Sequence, residues 1–286
     1  MNGIPSHLSI LVVIFMTTSY ASAEILFEDD FESGDTSHTE SGIRWTDKVN
    51  VVVNSSNPKA GNYSARMLYN GNTDLSEDAF TELRFDLGTP KQTVWLKYDL
   101  YIPHNYYHRD GIGSDNNKGF FHLWNGNYNT AKQLTYINWW PTSSGKSSIS
   151  NGWKTNDNVS RHRFDQNDIN NYEKDGDGVI AIDPQSMAGR WVEVIIHCRA
   201  ADIGVNNGAT QIWLDNNLIW SVVDANNHYI DNIDNANLFT AGYILGWSNS
   251  GFNEDTAFFL DNVVFATSKN DFFTGPNPPS NIVTEK

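Results

Sequence analysis

Three short segments carry side chains able to handle a carboxylate, a hydroxyl or a proton. In Glu82-Leu83-Arg84-Phe85-Asp86-Leu87, polar and apolar residues alternate. Successive side chains of a β-strand point to opposite faces, so Thr81, Leu83, Phe85 and Leu87 form an apolar face. Glu82, Arg84 and Asp86 take the other. Val94 to Ile102 alternates in the same way, with Trp95, Lys97, Asp99 and Tyr101 opposite its apolar face. In the third segment Phe121 and Leu123 turn inward and leave Phe120, His122 and Trp124. If the three strands are neighbours, one face collects Glu82, Arg84, Lys97, Asp99, Tyr101, His122 and Trp124. Lys118, just before the third segment, is counted with them as a substrate-binding cation.

Arg and Lys hold carboxylate or sulfate groups, and aromatic rings stack on sugar rings. The face therefore suits a polysaccharide, including an acidic one that carries carboxylate or sulfate groups. Each member also has a structural reading. Glu82–Lys97 and Arg84–Asp99 could be cross-strand ion pairs, worth about 0.2–1 kcal/mol each, and His122 a hydrogen-bonded structural histidine. His197 and Arg199 share a face of a further strand that could lie in another sheet.

Acidic residues cluster elsewhere. Glu28-Asp29-Asp30-Phe31-Glu32 has the Glu-X-Asp-X-Glu spacing of sandwich glucanases, which use paired carboxylates. Asp30 and Glu32 near Asp261 offer oxygen ligands for a structural calcium ion joining the first and last strands. No organic cofactor is expected. Glu173-Lys174-Asp175-Gly176-Asp177-Gly178 partly mimics a calcium loop, but Pro184 stands where a bidentate Glu belongs, so it reads as a tight turn. Asn54, Asn62 and Asn158 open glycosylation triplets.

The elements that must position these groups are strands. Beyond those named, strands are expected at Gln133–Trp140, Trp191–Arg199, Gln211–Asp215, Leu218–Val223, Phe239–Trp247 and Ala257–Ala266. Many strands with few helix patterns favour a sandwich over βαβ units. Residues 104–118 and 141–187 are long and polar, and read as functional loops. Residues 1–23 read as a secretory signal: an apolar run from Leu8 to Met16, then Ala21-Ser22-Ala23. A secreted or periplasmic location follows. The domain is expected over 24–268 and a C-terminal tail over 269–286, where Gly275-Pro276-Asn277-Pro278-Pro279 cannot pair in a sheet. The formal net charge of -15 argues against nucleic acid as the main partner. No segment after the signal is long and apolar enough to span a membrane as a helix. Cys198 is the single cysteine, in an apolar run, and reads as a buried thiol.

Several segments carry a resemblance. Phe27-Glu28-Asp29-Asp30-Phe31-Glu32-Ser33-Gly34 resembles the opening strand of concanavalin A-like sandwiches, and Phe259-Leu260-Asp261-Asn262-Val263 their last strand, which lies beside the first. Thr81-Glu82-Leu83-Arg84 is similar to the groove strand of jelly-roll alginate lyases and heparin lyase-like proteins. Gly189-Arg190-Trp191-Val192-Glu193-Val194-Ile195-Ile196-His197, followed by Trp213-Leu214-Asp215-Asn216, is similar to the heparin lyase-like group. The resemblance implies an all-β antiparallel jelly-roll sandwich acting on a uronate-containing polymer by β-elimination. In those lyases a late Gly-X-Tyr element supplies a catalytic Tyr; Gly242-Tyr243 and Gly246-Trp247-Ser248 match it in part, and the alginate lyase Gln-X-His element has no counterpart. Elimination needs a group that neutralises the carboxylate, a base near the α-carbon and an acid at the leaving oxygen. Arg84 or Lys97 would neutralise, His122 would be the base, and Tyr101 or Tyr243 the acid. The alternatives are a non-catalytic carbohydrate-binding module, using Trp124 as a platform, and a glycoside hydrolase built on Glu28.

Overall fold

A computed structural model describes residues 24–109, 116–126, 128, 132–154, 160–163, 178–227 and 238–273. The signal-like segment 1–23, the acceptor Asn158, most of the 173–178 turn and the tail beyond Phe273 lie outside the described residues.

Alternating apolar residues have built two antiparallel sheets. In chain order the strands are β1 (Ile25–Asp29), β2 (Thr39–Glu40), β3 (Ile43–Val49), β4 (Val51–Asn54), β5 (Ser64–Tyr69), β6 (Ala79–Phe80), β7 (Glu82–Lys91), β8 (Thr93–Ile102), β9 (Lys118–Asn125) and β10 (Lys132–Pro141). They continue as β11 (Ser147–Lys154), β12 (Ser160–Arg163), β13 (Ile180–Ile182), β14 (Arg190–Arg199), β15 (Gly208–Leu214), β16 (Asn217–Ala225), β17 (Phe239–Ile244), β18 (Trp247–Ser248) and β19 (Thr256–Ala266). One sheet runs β16-β15-β14-β8-β19-β5-β4, with β1 on β19. The other runs β12-β11-β10-β9-β17-β7-β3-β2, with β13 on β11 and β18 linking β6 to β9. The expected neighbourhood of first and last strands is present: Phe27 stands opposite Phe265, and Asp29 opposite Val263.

The inward faces of both sheets make one core. Phe85 stacks on Phe121 within the second sheet and meets Phe265 of the first edge-on at 5.0 Å. Trp45 closes one end, packing on Phe27, Phe31 and Phe85, and its indole N–H donates to buried Asp29 at 2.6 Å. Burial raises the Asp29 carboxyl above its ordinary range, against the pull of that bond. Cys198 is fully buried, and burial pushes its thiol up.

Three expectations change. Residues 141–187, read as loop, contain β11, β12, β13 and a single helical turn, α1 (Pro184–Met187). The expected strand 239–247 breaks after Ile244: Leu245 adopts φ 57°, a conformation uncommon for a non-glycine residue, and the chain restarts as β18. Finally, β7 and β8 are consecutive but belong to different sheets.

Candidate functional site

The division between sheets splits the expected face in two. Lys97, Asp99 and Tyr101 point outward from β8, on the sheet opposite β7 and β9. Lys97 lies over the Phe272 ring, in the 3-10 turn Lys269–Phe273. Asp99 accepts from Asn262 Nδ2 at 2.8 Å. Tyr101 packs among His104, Trp191 and Phe259. These three are therefore removed from the site, and neither Glu82–Lys97 nor Arg84–Asp99 is an ion pair. His197 shares that sheet, stacked on Trp95 at 4.0 Å.

The remaining residues do converge, on the outer face of the second sheet. Register puts Tyr243 of β17 directly between Arg84 of β7 and His122 of β9, and Tyr136 of β10 beside His122. The Tyr243 and His122 rings stack at 4.6 Å, and the Tyr243 hydroxyl lies 2.9 Å from His122 Nδ1. On the other side His122 Nε2 is 3.0 Å from Asn138 Oδ1. An amide oxygen only accepts, so Nε2 carries the proton and Nδ1 offers a lone pair to the Tyr243 hydroxyl. Complete burial drives the imidazole down to a pKa of about 3, with the Asn138 bond pulling weakly the other way. His122 is thus a neutral, tautomer-fixed acceptor.

Tyr243 is itself fully buried, and burial pushes its phenol well above the ordinary value. Its hydroxyl also bonds the hydroxyl of Tyr128. Because the Tyr243 proton points to Nδ1, Tyr128 is the donor in that bond. Tyr128 is partly exposed, and its own phenol is raised by burial and by the nearby Glu82 charge. The Arg84 guanidinium sits over the Tyr128 ring at 4.3 Å, a cation–π contact. Arg84 Nη2 and Nε both reach Glu82 Oε2, at 2.6 and 2.8 Å. Glu82 is buried, so this pair is a fixed feature, and it orients the guanidinium. Among the described residues the second amino group, Nη1, meets only the mostly exposed Asp47, at 3.9 Å. That edge is the one a ligand carboxylate can claim.

The pivot of the site is a bulge in β9. Ile137 pairs with Phe121, but Asn138 pairs with Gly119, so Phe120 is an extra residue. Phe120 consequently turns inward and stacks on Trp139 at 4.6 Å, rather than outward as the alternation predicts. The same change of phase buries Lys118. Its ammonium donates to Ser248 Oγ, Asn249 O and Gly251 O at 2.8–3.1 Å and lies over Phe252. Burial, helped by nearby Arg109, lowers it to about 7. Lys118 is a buried clamp on the 248–251 turn, with its ammonium occupied by that turn.

Trp124 is on the expected face but only 3% exposed, hidden against Tyr128 and Tyr243. The alternation did not single out Asn138, Tyr136 or Trp247, although Tyr136 and Asn138 are two apart on one predicted strand. Gly152, opposite Tyr136, leaves room for its ring: a Cβ there would stand 2.2 Å from the Tyr136 ring.

The acidic alternatives do not assemble. β1 ends at Asp29, and Phe31 has φ 58°, so Glu28, Asp30 and Glu32 do not project from one strand face. The Glu32 carboxylate accepts from Asn62 N, Tyr63 N and Asn62 Nδ2, and Asp261 from Lys59 N, Ala60 N and Asn262 N. Asp30 caps the Glu32 amide. Among the described residues no group of three or more His, Cys, Asp and Glu side chains is placed to hold a metal ion.

No family model matches the chain, and no curated protein matches it in sequence. Solved structures do. The endo-β-1,4-glucuronan lyase of the fungus Trichoderma reesei superposes with a TM-score of 0.54 at 12% identity, covering 79% of this chain and 92% of the lyase. A double mutant of alginate lyase Aly36B, in complex with alginate trisaccharide, gives 0.52 at 11% identity over 84% and 97%. Alginate lyase vAL-1 from Chlorella virus gives 0.50 at 10% over 79% and 93%. The chain shares the jelly-roll sandwich fold of these polysaccharide lyases.

Proposed function

We propose that the chain is an exported polysaccharide lyase, with residues 1–23 as its export signal, that cleaves a uronate-containing polymer by β-elimination. The observation that carries this reading is the hydrogen-bonded series Tyr128–Tyr243–His122–Asn138 running inward beside Arg84. A uronate carboxylate set against Arg84 Nη1 has its negative charge offset as the α-proton leaves. The Tyr128 oxygen takes that proton while its own passes to Tyr243, and that of Tyr243 passes to His122 Nδ1. The C4–O bond then breaks, a C4–C5 double bond forms, and the glycosidic oxygen is protonated. A buried imidazole with a pKa near 3 does not keep a proton, so the same hydroxyls return it to the leaving oxygen. No proton is gained or lost over the cycle.

The test is direct. Purified protein is incubated with alginate, polyglucuronate and other uronate polymers, and ultraviolet absorbance follows the new double bond. A rising signal supports the lyase. A flat signal across the panel, with polymer binding intact, replaces it by the carbohydrate-binding reading. That second reading is favoured by one feature: Tyr243 and His122 are both completely covered.

A further inference from the structure

An open sugar platform is missing from the constellation just described, because Trp124 is buried. Another pair of rings supplies one. On the small ladder β6–β18, Phe80 stands directly opposite Trp247. Opposed residues of an antiparallel pair project from the same face. Trp247 fixes which face this is: its ring meets His122 edge-on at 4.8 Å and lies 6.5 Å from that of Tyr243. The neighbours Ala79 and Ser248 point the other way and are buried.

The backbone under Phe80 and the ring of Trp247 are held in place. Asn50 Nδ2 donates to Phe80 O at 2.8 Å, and Thr81 N to Gly246 O. The indole N–H of Trp247 reaches Asn117 Oδ1 at 3.5 Å, and Asn249 Nδ2 fixes that oxygen at 2.6 Å. Phe80 nonetheless leaves 47% of its surface in water, and Trp247 is partly exposed. An exposed aromatic alone means little. Two rings opposed in register on one fixed ladder, on the same face as the proton-handling residues and beside them, are different. The anchored indole of Trp247 needs little further ordering when a sugar ring docks.

We infer that Phe80 and Trp247 form a stacking subsite for a pyranose ring of the bound polymer, next to the residue at which Tyr128, Tyr243 and Arg84 act. The inference rests on the polysaccharide reading of this face. It places the ring-binding function on β6 and β18, not on Trp124.

The probes are alginate and polyglucuronate, titrated into wild type, Phe80→Ala, Phe80→Trp and Tyr243→Phe, with tryptophan fluorescence and gel retention reporting binding and ultraviolet absorbance reporting cleavage. Phe80→Ala should weaken binding and raise KM by roughly five- to tenfold with kcat little changed, and Phe80→Trp should restore both. Tyr243→Phe should bind normally. Because Phe80 is exposed, its loss should leave the melting temperature near that of wild type. Binding that depends on Phe80 without any unsaturated product upholds the subsite and removes the lyase reading. Cleavage and binding indifferent to Phe80→Ala overturn the subsite and leave the lyase reading standing. Failure of wild type to bind either polymer overturns the subsite, and failure to cleave them counts separately against the lyase reading.

Discussion

The Tyr243 hydroxyl lies 2.9 Å from Nδ1 of His122, beneath nearly parallel rings. Neither residue is accessible to solvent. In the proposed reaction the pair would act on a ligand through Tyr128, the member of the series that is partly exposed. Tyr128→Phe and Tyr243→Phe should each reduce turnover of a uronate polymer by about 100- to 10,000-fold, the usual range for a lost acid–base group. Polymer retention should change little. Normal turnover in either variant would show that the hydrogen-bonded series plays no part in proton transfer.

Asn138 sets which nitrogen of His122 is protonated. Asn138→Leu removes the acceptor and leaves a buried N–H unpaired, at about 1–3 kcal/mol. Asn138→Asp keeps the acceptor and adds a negative charge, which favours the imidazolium and should move the His122 titration up from about 3. Histidine nitrogen NMR would show Nε2–H in wild type and a higher titration midpoint in Asn138→Asp. An unchanged midpoint would separate Asn138 from His122.

Burial of neutral His122 makes stability depend on pH. The folded-state value of about 3 lies below the unfolded value near 6.5, so between these limits the unfolded chain binds the extra proton. Its contribution is fully present above about pH 6.5 and is lost as the pH falls, by about 1.4 kcal/mol per unit. Urea unfolding at pH 7 and pH 4.5 should therefore show a larger loss for wild type than for His122→Gln, by about 2–3 kcal/mol. Equal losses would mean that His122 ionises freely in the fold.

Gly152 leaves room for the Tyr136 ring, which in turn lies 5.5 Å from that of His122. Gly152→Ala should destabilise the protein by about 1–3 kcal/mol through overpacking and lower turnover by displacing Tyr136. Denaturant midpoints and kcat measured together would test this. A variant as stable and active as wild type would show that the ring yields freely.

Lys97→Ala and Tyr101→Phe should leave kcat/KM within about twofold of wild type, because β8 belongs to the opposite sheet. A large loss in either variant would return the site to the arrangement expected from alternation alone.

Alternation revealed most strands and correctly sorted Leu83, Phe85 and Leu87 from Glu82 and Arg84. It fixes which residues of one strand share a face, but carries no information on which sheet the strand joins. Sequential strands usually pair; β7 and β8 do not, so Lys97, Asp99 and Tyr101 went to the wrong side. β11 was hidden for another reason. Ser147-Ser148-Ile149-Ser150-Asn151-Gly152-Trp153 is poor in the branched residues that mark strands, and its stability comes from pairing with β10. Tyr128 lies just beyond a predicted strand, so periodicity had no claim on it.

The surplus residue in β9 makes chain length, more than residue identity, the quantity this strand must preserve. Removing Phe120 would restore simple pairing and rotate everything before it by half a turn, swinging the Lys118 ammonium out of its nest of carbonyls and unfastening the turn that follows Trp247. Replacing Phe120 by another large apolar residue would do neither. Homologous strands can therefore tolerate exchange at this point while being intolerant of a single-codon deletion, a contrast that a scan of deletions and substitutions across 118–122 would reveal.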